Sequence, residues 1–260
     1  MRATKVSRGR RRTGRSHYIW HWRTHWPVVL NLLVVVLIEW WISRTLNYGL
    51  TPFALVLDRQ AAELAWTGLL SALFVAALVQ YLLARTHHRP VVTWIAMGIF
   101  TLGVLLDVVE LAMTLVDPDI SPRRVSSPNG PTVTDIGVAL LTDGALIWTS
   151  NLFLFTLWYW LLDGGGHECR AEGTWERRDF LFPQQQLEKP LPDYPGWHPR
   201  YLDYLYLAFC TSTALSPADT LTLSWRAKLL QMLQATMSLV LIALIIARAI
   251  NLLSNAAAGP

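Results

Sequence analysis

Charge is scarce in this sequence. Only 15% of its 260 residues are Asp, Glu, Lys or Arg, and 53% are hydrophobic, whereas a soluble domain carries charge on about a quarter of its residues. That shortage excludes an ordinary water-soluble domain. Cysteine is scarcer still. Cys169 falls in a polar stretch and Cys210 in an apolar one, and without a CxxC spacing they indicate neither a disulfide framework nor a zinc site. Catalytic signatures are missing as well: there is no nucleophile elbow, no glycine-rich phosphate loop and no HExxH. His167 and Cys169 beside Gly164-Gly165-Gly166 are too little for a nucleophile site. No enzyme and no cofactor is expected.

Apolar runs are what the chain has in abundance. Five of them, 27–45, 61–84, 91–116, 136–162 and 226–252, match the ~20 residues a helix needs to cross ~30 Å of hydrocarbon. The expected fold is an all-α, polytopic helical membrane protein, because a bilayer core leaves no partner for unpaired backbone groups. Pro27 suits the start of the first helix. The organisation read from the sequence is a basic tail (1–26), a four-helix transmembrane region (27–162), a polar loop (163–199) and a C-terminal module (200–253). Segment 200–216 is short for a crossing. It fits a re-entrant half-helix or a short tilted span, so the count is five to six transmembrane segments.

The tail holds eight Lys or Arg and no acid. It runs directly into a long apolar stretch with no cleavage site behind it, unlike a removable signal. A cytoplasmic tail that lies on anionic lipid headgroups is the expected role, and nucleic acid is not an expected partner. His17, His21 and His25 recur at helical spacing, but no Cys or carboxylate joins them, so no metal site is expected. With the amino end inside, the basic turn 85–90 and the loop 163–199 also fall inside, as the Lys/Arg bias requires.

Four acids interrupt the spans: Glu39, Asp107, Glu110 and Asp143. A charge there is expensive. Asp107 and Glu110, three apart, share a helix face. Counting at 1.5 Å per residue from the outer ends of antiparallel spans puts Asp107, Asp143 and Glu39 at one level, in the outer third. One reading is an acidic cluster that binds cations or relays protons. The other is helix glue, with the carboxyls protonated or paired with Arg44 or Arg59. Arg248 is expected to snorkel toward the interface.

The C-terminal module carries a family likeness. "YLAFCTST", a five-residue turn and Asp219 resemble the pore helix and filter mouth of potassium channels, with Thr211, Thr213 and Asp219 in matching positions. The filter departs from that pattern. Ala214-Leu215-Ser216-Pro217-Ala218 stands where the channels have Thr-Val-Gly-Tyr-Gly, and Pro217 restricts itself and its predecessor, so stacked carbonyls of the usual form are not expected. Residues 136–253 also resemble an uncharacterised family of bacterial inner-membrane proteins, a domain of unknown function with a Ser-x-x-Asp-like turn that Ser216 and Asp219 fit. These likenesses imply a multi-pass inner-membrane protein of channel-like architecture, a homo-oligomer with the tetramer as the channel-like case, and a pathway at Thr211, Thr213, Ser216 and Asp219. The alternatives are a non-conducting scaffold or sensor, or a small transporter using the intramembrane carboxylates. Six crossings are preferred over five, since six would put residues 216–225 outside, where channels have their filter.

Overall fold

The computed structural model describes residues 22–45, 61, 64–66, 68–73, 75–76, 91–116, 133–165, 177–186, 197–213 and 219–258. Its main helices are α1 (Trp22–Thr45), α2 (Val91–Val116), α3 (Val133–Leu162), α4 (Pro183–Gln186), α5 (Tyr201–Thr213) and α6 (Trp225–Ala258). Helical residues also occur within 61–76, where Trp66 and Leu70 are buried in the same core. The chain is therefore helical, as its apolar runs require. Among the described residues, three helices are long and apolar enough to cross a membrane, through Trp94–Met113, Gly137–Leu162 and Trp225–Ile250, while Val29–Ile42 and Leu64–Leu73 are shorter apolar stretches.

Several boundaries differ from expectation: α3 begins at Val133 rather than 136, and α6 spans Trp225–Ala258 rather than 226–252. α1 begins at Trp22, inside the stretch read as tail, so Pro27 lies within the helix. The first four N–H groups of a helix have no partner in any case, so a proline just past that turn removes a single bond. The polar segment after α3 is also partly ordered. It holds a 3-10 turn (Asp163–Gly165), β1 (Phe180–Leu181) and the one-turn α4.

α3 is the centre of the bundle, and its neighbours run antiparallel to it. On α6, Gln234 meets Tyr159, Ser238 meets Asn151 at 2.6 Å, and Ile245 meets Gly144. On α2, Trp94 stacks on Trp158 (ring centroids 5.4 Å apart), and Leu111 lies beside Gly144. On α1, Asn31 donates to the Phe153 carbonyl at 3.1 Å. These helices bury Phe100, Val104, Ile147, Phe155, Leu241 and their neighbours, and expose Leu37, Leu102, Val138, Leu239 and Ile246. In lipid such an exposed apolar face is at home.

α5 settles its own course. Tyr204, one turn in, donates to Asp163 at the end of α3 (2.5 Å), and the Asp163 carboxylate accepts from the Asp179 and Phe180 N–H groups. β1 pairs antiparallel with β2 (Leu221–Thr222), in the register Phe180↔Thr222. Arg226, at the start of α6, lies 3.6 Å from Asp179. The start of α5 and β2 thus lie at the same end of the bundle. Thirteen helical residues reach only about 20 Å. Asp219, two residues before β2, lies at the end where α3 stops and α6 starts. α5 is held by Gln234 partway down α6, and β2 completes the two-stranded pairing.

Gly164 lets the chain turn after α3. Its φ of 61° and ψ of 21° lie in the left-handed region that side chains resist. That turn carries Asp163 to its three partners.

Candidate functional site

The intramembrane acids come from three helices. Glu39 on α1 is 3% exposed, Glu110 on α2 is 8% exposed, Asp143 on α3 is fully buried, and Asp107 on α2 is half-buried. The fold brings them together. Glu39 and Asp107 share a side-chain hydrogen bond, and Asp107 lies within electrostatic reach of Glu110 and Asp143. Gly103 leaves room for this arrangement, since a Cβ there would stand 3.4 Å from both Glu39 Oε2 and Trp66 Cζ2.

A carboxylate can only accept, so a hydrogen bond between two carboxyls requires a proton on one of them. Several like charges at this spacing in a poorly polarisable interior cannot all persist. Glu39 Oε1 and Asp107 Oδ2 are buried oxygens with no hydrogen-bond partner, so acceptor capacity remains inside the cluster. Among the described residues, no three His, Cys, Asp or Glu side chains converge tightly enough to hold a metal ion. The arrangement suits a mobile proton or a partly hydrated monovalent cation better than a chelated divalent one. Arg59 lies outside the described residues, and so does the side chain of Arg44, the two basic groups weighed as partners. Arg248 is half-buried with its Nε unpartnered, rather than fully extended into solvent.

The residues singled out in the channel-like stretch are arranged differently. Thr211 donates to the Leu207 carbonyl (2.9 Å), and Thr213 donates to the Cys210 carbonyl (3.2 Å). Both hydroxyls are thus directed onto their own helix. Asp219 is exposed. Ser216 and the turn 214–218 lie outside the described residues. Within one copy of the chain, the threonines and Asp219 do not meet the carboxyl cluster, which sits toward the opposite end of α3.

Between the two ends lie separate buried polar contacts that the acids did not advertise. Tyr159 donates to Gln234 Oε1, and the Gln234 amide donates to the Ala208 carbonyl (3.0 Å) and to Ser212 Oγ (2.7 Å). Farther along, Asn151 donates to Ser238 (2.6 Å), and Ser150 is buried beside it. Nearer the α5 end, Thr222 donates to Gln231 (2.6 Å). Gln231, Gln234 and Ser238 recur at i, i+3 and i+7 inside an apolar helix, a spacing that marks one face. That stripe was visible in the sequence, but attention to ionisable groups alone passes over it. Asp163, the hub at the end of α3, had only the run of glycines after it as a signal.

No family model, curated protein or solved structure matches this chain.

Proposed function

We propose that this protein is an integral membrane protein that moves a small cation, the proton above all, by way of the Glu39, Asp107, Glu110 and Asp143 carboxyls. The observation that carries the reading is the Glu39–Asp107 hydrogen bond inside a group of buried acids. Such a pair holds a proton and can exchange it, and acids within membrane helices mark ion and proton pathways. The polar contacts of Asn151, Ser238, Gln234 and Tyr159 supply hydroxyls and amides along the route toward the other end. In this reading the chain sits in a bacterial inner membrane with its amino end in the cytoplasm, and the acids lie in the outer half.

The test is flux in proteoliposomes holding a pH-sensitive dye, driven by an imposed potential. Wild-type protein should acidify or alkalinise the lumen, and Asp107→Asn should reduce the rate to that of empty vesicles while leaving a folded, monodisperse protein. Undiminished flux in Asp107→Asn would remove the carboxyls from the pathway.

A second reading is favoured by the placement of the start of α5 and of β2 at the same end of α3, the placement a pore loop would have. Several copies, four in the channel-like case, would then form a weakly selective cation pore around Thr211, Thr213, Ser216 and Asp219. One such loop cannot close a pore alone. Subunit counting separates the two, because a monomer that moves protons supports the first reading and excludes the second.

A further inference from the structure

Away from the carboxyls, at the end where α6 begins, the surface holds a cavity of about 620 Å³ lined by Arg177, Arg178, Leu223, Ser224, Trp225 and Arg226. We propose that this cavity binds the phosphate of an anionic phospholipid headgroup, with the three arginines as ligands. Charge argues for an anion. Three guanidinium groups meet here with one buried carboxylate, Asp179, beneath them, 3.6 Å from Arg226. Lys228 is exposed one residue beyond the cavity wall in the same first turn of α6. Guanidinium forks match phosphate oxygens in pairs. The first turn of α6 adds a favourable field, and Ser224 Oγ already accepts from the Ala227 N–H (3.2 Å), so the turn is in place before any ligand arrives.

The surroundings argue for a lipid as the source of that phosphate. Trp225 is 71% exposed, and Leu221 and Leu223 are about half exposed, an unfavourable surface for a pocket facing water. α6 continues from Trp225 as a membrane-crossing stretch, so the cavity sits where headgroups begin. Exposed tryptophan beside arginine is the arrangement that anchors helices at that level. The arginines would hold the headgroup, and Trp225 with the two leucines would lie along the upper acyl chain. Asp179 has a positioning role: it holds Arg226 at the rim through an ion pair, and Asp179 is itself fixed by its backbone bonds to Asp163 and Leu223.

The full-length protein in detergent micelles provides the test, with thermal unfolding followed against added short-chain phosphatidylglycerol, short-chain phosphatidylcholine or inorganic phosphate. Phosphatidylglycerol should raise the unfolding temperature saturably, and phosphatidylcholine and inorganic phosphate at equal concentration should not. Arg177→Gln combined with Arg178→Gln should weaken the phosphatidylglycerol effect by roughly twentyfold, the loss expected for two basic groups at a membrane surface. The matching double substitution to Lys should recover part of it. The proposal is overturned if phosphatidylcholine stabilises equally, if inorganic phosphate does so as well as the lipid, or if the double Gln variant binds phosphatidylglycerol as wild type does. Because both arginines are exposed, the variants should fold, and an unchanged unfolding temperature without lipid checks that they do.

Discussion

The two ends of α3 handle buried acid in opposite ways. Toward its start, Asp143 joins Glu39, Asp107 and Glu110 in a group where like charges face one another and oxygens of Glu39 and Asp107 stay unmatched. At its finish, Asp163 is equally buried, but it accepts from Tyr204 and from two backbone N–H groups. Hydrogen-bond donors aimed at a carboxylate stabilise it in place, whereas carboxyls aimed at one another compete for protons. At the first end Glu39 and Asp107 share a hydrogen bond, and at the second Asp163 holds a turn, a strand pair and α5 together. A buried acid is therefore a weak guide to role until its neighbours are known.

The largest expected effect is at the structural end. Asp163→Ala removes the acceptor of three buried bonds, from the Asp179 and Phe180 N–H groups and the Tyr204 hydroxyl, which should cost about 3–5 kcal/mol. Thermal unfolding in detergent should register it as a large drop, with α5 the first element to become protease-sensitive. Stability near wild type would erase the contrast between the two ends.

Next comes the contact that aligns them. A Cβ at Gly144 would stand 2.9 Å from Ile245 Cγ1, so Gly144→Val should push α6 from α3 at a cost of about 1–3 kcal/mol. Combining it with Ile245→Ala should recover part of the loss, and unfolding of the single and double variants checks this. A smaller effect, about 1 kcal/mol, is expected for Tyr159→Phe, which deletes one donor to Gln234 while the Gln234 amide keeps Ala208 and Ser212. The smallest stability effect belongs to the acid end. Asp107→Asn keeps a hydrogen-bonding group beside Glu39 and removes a like charge, so unfolding should move by less than about 1 kcal/mol even as proton flux is lost. A loss as large as that of Asp163→Ala would make these acids helix glue. Asp219→Asn sharpens the other side: if the exposed carboxylate only concentrates cations, any flux it supports should fall at low ionic strength and be unaffected at high.

How much was legible in the sequence follows from the range of the physics involved. Hydrophobic length is a local property, so the helical fold could be read directly and 91–116 matches α2 to the residue, whereas α3 starts at Val133, three residues before the expected 136. The common level of Glu39, Asp107 and Asp143 was also within reach, because antiparallel helices with a fixed rise turn residue counts into depths. The course of α5 was not. Where a short apolar helix packs depends on which partners stand around it, and here Asp163, β1 and Gln234 hold α5 and β2 from positions far away in the chain. The direction of the threonine hydroxyls was hidden for the same reason. What the sequence by itself determined is that this chain is a bundle of apolar helices carrying acids at one depth. Only the tertiary structure decided which acid is held by donors and which faces other acids, since a carboxyl's environment is set by side chains that arrive from other helices.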